Sequence, residues 1–193
     1  MKTVKHTLVA LVEDKPGVLN RIASLLRRRN FNIESIAVGH SEQPGLSRMT
    51  MVVGGDDARI EQVRKQLDKV VEVIKIVDIT DEEPVARELA LIKVKATPST
   101  RGEIIQIVDI FRANIVDVAM DSLIVEVTGD EDKVDSLIEL LRGFGIKELA
   151  RTGRIALTRG GAGPLLVEEA KETKVPRQPL KPPREEAESP PDW

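Results

Sequence analysis

The residues with the clearest potential for chemistry lie in the turn Glu13-Asp-Lys-Pro-Gly17, which follows an apolar run. Pro16 suits the first turn of a helix, because its missing N–H would have no partner there. Gly17 lets a ligand approach the backbone, because it has no Cβ. Free N–H groups at a helix start favour a carboxylate or a phosphate. Asp14 could either cap the helix or receive an ammonium group, so the turn is a candidate receptor for a free amino acid, although most such turns bind nothing.

The elements around this turn follow from hydrophobic periodicity. The first strand is predicted over 3–13, and a helix runs from the turn to about Arg29, with Asn30 at its C-terminal end. The apolar side of this helix comprises Val18, Leu19, Ile22, Ala23, Leu25 and Leu26. Strands over 31–39 and 46–53, a helix over 57–67 and a strand over 70–79 complete the order βαββαβ. The order then repeats, with a strand over 89–96, a helix over 101–112, a hairpin over 115–127, a helix ending near 142 and a closing strand over 146–158, interrupted near Gly153.

This repeat predicts an α+β protein made of two tandem ferredoxin-like sandwiches, each a four-stranded antiparallel sheet with both helices on one face. The predicted boundaries are 4–80 for the first unit, 81–86 for a short acidic linker and 87–160 for the second unit. Residues 161–193 are rich in proline and charge, so we predict a disordered tail. The open sheet faces and edge strands predict at least a homodimer.

Composition excludes several classes of function. The net charge is −3 and aromatic residues make up 2% of the chain, so neither a basic face nor a stacking platform for nucleic acid is present. Cysteine is absent and only His6 and His40 occur, which excludes a thiolate nucleophile and argues against a metal site. No apolar run is long enough to span a bilayer, and the N-terminus lacks a signal region, so we expect a cytoplasmic protein.

Other functions hosted by this fold need residues that the chain lacks. An acylphosphatase-like enzyme would need an arginine in the first turn, where Lys15 stands. A heavy-metal carrier would need a cysteine pair there, and no Ser–His–Asp set is plausible for nucleophilic catalysis. We therefore predict no catalytic residues, and regulation by a small ligand remains.

The turn Asp14-Lys-Pro-Gly-Val-Leu19 resembles that of ACT domains, the amino-acid-sensing modules of many biosynthetic enzymes. Longer strings resemble the regulatory small subunit of acetolactate synthase, and the likeness runs from about residue 4 to 160. They are Phe31-Asn-Ile-Glu-Ser-Ile36, Leu46-Ser-Arg-Met-Thr50, Phe111-Arg-Ala-Asn-Ile-Val-Asp-Val118 and Ala150-Arg-Thr-Gly-Arg-Ile-Ala-Leu-Thr-Arg-Gly160. The tail from Gly161 onward is not part of the family pattern.

The resemblance implies a non-catalytic subunit that activates the catalytic subunit and makes it sensitive to valine. This chain would then hold no cofactor, whereas thiamine diphosphate, FAD and Mg would belong to the catalytic partner. In the family the effector lies between two ACT domains of a dimer. The corresponding positions here are Asp14, Gly17, Val18 and Leu19, with Asn32 and Ile33 from the neighbouring strand. The family often has asparagine where this chain has Asp14.

Physical roles for these positions follow as hypotheses. The N–H groups of Gly17, Val18 and Leu19 would hold the effector carboxylate, and Asp14 with Asn32 would accept from its ammonium group. Apolar surface near Ile33 would contact the branched tail. One methylene discriminates by only about 1–3 kcal/mol, so leucine and isoleucine could bind as well as valine. The alternative function is a stand-alone amino-acid-responsive regulator, for example of transcription, although a DNA-binding element is missing.

Overall fold

The computed structural model describes residues 4–160, which fold into two successive βαββαβ units. The first unit comprises β1 (Val4–Glu13), α1 (Val18–Arg28), β2 (Ile33–His40), β3 (Leu46–Gly55), α2 (Asp57–Leu67) and β4 (Val73–Asp78). After a 3₁₀ turn (Thr80–Glu82), the second unit comprises β5 (Val85–Lys95), α3 (Arg101–Ile110), β6 (Asn114–Val118), β7 (Ser122–Gly129), α4 (Glu131–Arg142), β8 (Ile146–Arg151) and β9 (Ile155–Leu157). The predicted fold class, α+β with two ferredoxin-like sandwiches, is confirmed.

Each unit is built on an antiparallel sheet with its central strands in the order expected of this fold. The first sheet has the order β2-β3-β1-β4, and the second has the order β6-β7-β5-β8, with β9 added alongside β5. Alternate residues of the central strands bury against the helices, as Leu8, Ala10 and Val12 of β1 do in the first core. Ala90, Ile92 and Val94 of β5 hold the same place in the second core.

Helix α1 buries a narrower stripe than its periodicity predicts. Val18, Ile22 and Leu26, spaced four apart, face the first core. Leu19 was expected on the same side, but 48% of its surface is exposed. It lies about 100° around the helix from Val18, so it points away from the sheet. The predicted end of the helix is correct, since Asn30 follows it with a left-handed φ of 57°.

The first sheet is less open on its outer face than the sequence predicts. Strand β5 begins at Val85 rather than near residue 89, because its first residues pair with β9. This ribbon places Ala156 against Val9 of β1 and Ile79, forming a small buried cluster on the side away from the helices. The expectation that this face is bare is therefore wrong for the first sheet. The cause is a strand of only three residues, too short to show a period of its own.

Some predictions lie beyond what the structure tests. The predicted disordered tail, 161–193, lies outside the described residues. The unit boundaries and the homodimer stay predictions. Within residues 4–160, no helix combines the length and the hydropathy needed to cross a membrane. The same part of the chain contains no cluster of three acidic, histidine or cysteine side chains suited to a metal ion.

Candidate functional site

The turn between β1 and α1 presents backbone donors that the chain itself does not use. Gly17 is the N-cap residue of α1, with a φ of 88°, and no side chain caps the helix. The Val18 N–H donates to the Lys15 carbonyl across a long 3.4 Å, and the regular helical bonds begin with Arg21 N–H to the Gly17 carbonyl at 2.9 Å. Within residues 4–160, the N–H groups of Gly17 and Leu19 therefore have no acceptor. Such a helix start attracts an anion.

Two other helices of the described chain, α2 and α4, begin with a side-chain cap, which α1 lacks. Asp56 accepts from the Arg59 N–H at the start of α2, at 2.8 Å. Asp130 accepts from the Lys133 N–H at the start of α4, at 2.9 Å. Each carboxylate is a standard side-chain cap.

The equivalent turn of the second unit is filled by its own hydroxyl groups. The Thr97 N–H donates to Thr100 Oγ1 at 3.0 Å, and the Thr100 N–H donates back to Thr97 Oγ1 at 3.3 Å. Gly17 and its neighbours have no such hydroxyl. The sequence difference between Asp-Lys-Pro-Gly17 and Thr-Pro-Ser-Thr100 therefore gives the second turn hydroxyl bonds that the first turn lacks, although α3, like α1, has no side-chain cap at its start.

Within the described part of this chain, the Asp14 carboxylate neither caps α1 nor contacts an ammonium group, which are the two roles that the sequence allows. Its side chain does not cap α1, and its Oδ2 lies 3.2 Å from Nδ1 of His40, at the end of β2. The Asp14 N–H donates to the Gly45 carbonyl at 2.9 Å, which fixes the backbone of the turn. Its carboxylate is 46% exposed, so it remains accessible to a ligand ammonium group. The contact with His40 was not predicted, because the two residues are brought together only by sheet pairing.

Asn32 and Ile33 lie at the opposite end of the first sheet from the turn. The pairing of β2 with β3 places His40 opposite Ser47, and Ile33 opposite Val53. Because Glu13 pairs with Leu46, the end of β2 is the end nearest the turn. The start of β2 is then about 23 Å away, at roughly 3.3 Å per residue. A single chain therefore brings Asp14, Gly17, Val18 and Leu19 together but leaves the other two predicted residues distant.

A group of charged residues where the two units meet was missed by the sequence analysis. The Glu131 carboxylate accepts from Lys5 Nζ at 2.8 Å and also pairs with Arg154. Lys5 reaches Glu34 as well, at 3.1 Å. The hydrogen bond from Lys5 is the main reason that the pKa of Glu131 lies below its ordinary value. We call this group, Lys5, Glu34, Glu131 and Arg154, the charged seam. Lys5 and Glu131 are 126 residues apart, so no local signal could have revealed the pair.

The fold and the open first turn together place the first unit among ACT-type domains. Residues 8–75 match the family described as "AHAS small subunit-like ACT domain". Residues 87–160 match a second family, "Small subunit of acetolactate synthase".

Comparisons with individual proteins give the same assignment. The chain is 61% identical over 157 residues to the "Probable acetolactate synthase small subunit" of Archaeoglobus fulgidus, covering 81% of this chain and 98% of that protein. It is 52% identical over 161 residues to the acetolactate synthase small subunit of Mycolicibacterium smegmatis, covering 83% of this chain and 95% of the relative. The crystal structure of the acetolactate synthase small subunit from Thermotoga maritima superposes with a TM-score of 0.76 at 47% identity, covering 81% and 98% of the two chains. The chain therefore belongs to the acetolactate synthase small-subunit family.

Proposed function

We propose that this chain is the non-catalytic regulatory subunit of acetolactate synthase, which activates the catalytic subunit and confers feedback inhibition by valine. Membership of the small-subunit family and the ACT-type first unit support a regulatory role. The observation that carries the effector part of the proposal is the pair of free amide donors at Gly17 and Leu19, beside the accessible carboxylate of Asp14.

The two charged ends of an amino acid fit the two sides of this turn. The effector carboxylate accepts from the N–H groups of Gly17 and Leu19, and the positive end of the α1 dipole adds to this attraction. The ammonium group takes Asp14 as its acceptor, displacing His40. The Val18 N–H contributes less than the sequence predicts, because it already donates to Lys15. The exposed side chain of Leu19 offers apolar surface for the branched tail.

A second copy of the chain supplies the rest of the site. Among residues 4–160, strand β2 is an edge strand, since it pairs with β3 alone. If two β2 strands pair antiparallel about a twofold axis, the start of one lies beside the end of the other. This arrangement brings Asn32 and Ile33 of the second copy toward the turn of the first. The homodimer then has two equivalent effector sites, each built from both chains.

Binding at such a seam provides a route to feedback. An effector that contacts both copies favours one packing of the two sheets over others. Coupling of about 1–3 kcal/mol between this site and the catalytic partner is typical of allosteric regulation. The contacts to the branched tail are few, so leucine and isoleucine are expected to bind as well, within about tenfold of valine.

Substituting Gly17 tests the site with a matched pair of variants. Asp and Asn both tolerate a left-handed φ, and a Cβ at this position meets no atom within 4 Å, so both variants should fold. Gly17→Asp adds a negative charge beside the free amides, whereas Gly17→Asn adds the same bulk without charge. Titration calorimetry should show valine binding to the wild type and at least tenfold weaker binding to Gly17→Asp than to Gly17→Asn. Equal valine affinities in the two variants would remove the turn as the carboxylate site.

The complete function is measured by mixing the chain with an acetolactate synthase catalytic subunit. Acetolactate formation should rise on adding the wild type and fall when valine is then added. Gly17→Asp should still raise the activity, but valine should no longer lower it. Failure of the wild type to raise activity contradicts the regulatory role, and inhibition of Gly17→Asp at wild-type valine concentrations contradicts the site. Sedimentation at several protein concentrations tests the dimer independently, and a monomer throughout would refute the two-chain site.

A further inference from the structure

A second cleft lies on the face of the first sheet opposite α1. It has a volume of about 350 Å³, within the range of small-molecule sites, and its walls come from both units. Strands β2 and β3 form one wall, and the start of β5 with β9 forms the other. Apolar side chains dominate the lining, among them Val85, Ile155 and Leu157, which are 37%, 59% and 58% exposed. Three such residues lining one cleft offer apolar surface that an occupant would remove from water.

Arg48 is the polar residue that distinguishes this cleft. It stands on β3 opposite Gly39, and its Nη2 donates to the Ala156 carbonyl of β9 at 3.2 Å. Its Nε–H is buried and has no acceptor among residues 4–160. No carboxylate of the described chain forms an ion pair with it, although the field of Glu42 acts on it from a distance. Burial lowers the pKa of this guanidinium, yet an arginine stays charged at neutral pH. A partly buried cation without a counter-ion is costly, and an anion would relieve that cost.

The lining residues also decide which anion fits. None of the residues that line this cleft in the described chain is acidic, and its cations are Arg48 and Arg87; His40 also lines it and contacts Asp14 of the turn. An amino acid would leave its ammonium group without an acceptor here. A multiply charged phosphate would leave most of the apolar wall uncovered. A small molecule with one carboxylate and a branched apolar body satisfies both the cation and the wall.

We propose that the cleft between the first sheet and the β5–β9 ribbon binds a short branched monocarboxylate, with Arg48 as its counter-ion. The cleft adjoins the turn at Gly17 through His40, which pairs with Asp14, but its cation and its apolar wall are residues outside the turn, and the proposal does not depend on the proposed effector function. The cleft recognises an acid without an amino group, whereas the turn recognises a zwitterion. Because the walls come from both units, the occupant holds the second unit against the first sheet.

The probe for this site is 3-methylbutanoate, tested on the full chain by titration calorimetry. Two compounds serve as controls: 3-methylbutanamide has the same shape without charge, and valine carries the added ammonium group. The carboxylate should bind saturably, with one molecule per chain and at least tenfold more tightly than the amide. Valine should not compete with it. Equal binding of the acid and the amide, or competition by valine, overturns the proposal, as does the absence of saturable binding up to millimolar concentration.

Variants separate the cleft from the turn. Arg48→Gln should weaken 3-methylbutanoate binding at least tenfold, and Arg87→Gln, an exposed arginine of the same cleft, should weaken it less than threefold. Gly17→Asp should leave it unchanged. If circular dichroism shows that Arg48→Gln does not fold, the Ile155→Asn variant is tested instead. Ile155 is exposed, so a polar side chain is tolerated there, and it forms part of the apolar wall. Unchanged 3-methylbutanoate affinity in a folded Arg48→Gln or Ile155→Asn variant refutes the assignment.

Discussion

Replacing Glu131 with Gln tests how much the charged seam contributes to stability. The carboxylate lies at the first residue of α4 and accepts from Lys5 of β1 at 2.8 Å as well as from Arg154. Its side chain is 31% exposed, and that of Arg154 is 19% exposed. The substitution keeps the shape of the side chain and one acceptor oxygen. It removes the charge that pairs with two cations from different parts of the chain.

The expected loss of unfolding free energy in Glu131→Gln lies between two limits. Hydrogen bonds to charged groups contribute about 1.5–3 kcal/mol each when buried, whereas exposed ion pairs contribute about 0–1 kcal/mol. Glu131 is partly exposed, and its place in the first turn of α4 adds about 0.3–1 kcal/mol through the helix dipole. We expect Glu131→Gln to lower the free energy of unfolding by about 1–2 kcal/mol at neutral pH. The matched control is Glu139→Gln, whose partner Arg142 is 3.2 Å away on an exposed helix face, with an expected loss below about 0.5 kcal/mol.

The lowered pKa of Glu131 determines how the stability difference between the wild type and Glu131→Gln changes with pH. Lys5 holds the pKa of Glu131 below its ordinary value of 4.5 in the folded protein. A carboxyl group with a lowered folded pKa contributes stability that is fully present above its unfolded pKa, and the contribution is lost as pH falls through the folded pKa. The difference in unfolding free energy between the wild type and Glu131→Gln should therefore be largest at neutral pH. It should shrink progressively as pH falls below 4.5.

Urea denaturation followed by circular dichroism measures this difference, at one protein concentration because any dimer makes stability concentration-dependent. The series runs from neutral pH to below 4.5 for the wild type, Glu131→Gln and Glu139→Gln. A loss of similar size in both variants would show that the seam is no stronger than an ordinary surface pair. A loss in Glu131→Gln that does not change with pH would refute the electrostatic reasoning.

Two further predictions concern packing. Ile104→Ala should lower the free energy of unfolding by about 2–5 kcal/mol in urea denaturation, because Ile104 is fully buried in the second core. The control is Ile110→Ala, at a side chain 78% exposed on the same helix, which should cost below about 0.5 kcal/mol. Equal losses in the two variants would contradict the assigned core. Gly153→Ala should cost about 1–3 kcal/mol by the same measurement, since Gly153 has a φ of 83° and its Cβ would lie 2.9 Å from the Ile36 carbonyl oxygen. The control Gly102→Ala, on α3 with no atom near its Cβ, should be neutral or stabilising. Unchanged stability of Gly153→Ala would show that the backbone at Ile36 moves away from the new Cβ at no cost.

The parts of the fold that depend on local chemistry could be predicted from the sequence. The period of α1 correctly identifies Val18, Ile22 and Leu26 as core residues, because a helix face depends only on residues three and four apart. Asn30 marks the helix end because asparagine tolerates a left-handed backbone. The donors at Gly17 could also be anticipated, since a Pro-Gly turn without a hydroxyl leaves a helix start uncapped.

The parts that depend on how the two units meet could not be predicted. The partly buried guanidinium of Arg48 reaches the Ala156 carbonyl 108 residues away, and no periodicity encodes that distance. The ribbon of β5 and β9 exists because two short segments pair, and Ile155–Leu157 alone is too short to show alternation. The neighbour of Asp14 was missed for the same reason. His40 approaches it only because β2 and β1 both flank β3.

Strand β1 connects the two regions that matter most in this molecule. At its C-terminal end, Glu13 leads into the turn with the free amides of Gly17 and Leu19. Near its other end, Lys5 binds Glu131 of the second unit, and between them Val9 packs against the β5–β9 ribbon. Strand β1 is hydrogen-bonded on both sides, to β3 and β4, so it is held as one rigid element of the sheet. A change in the position of the second unit on the first sheet therefore acts on β1, the same strand that leads into the turn with the free amides.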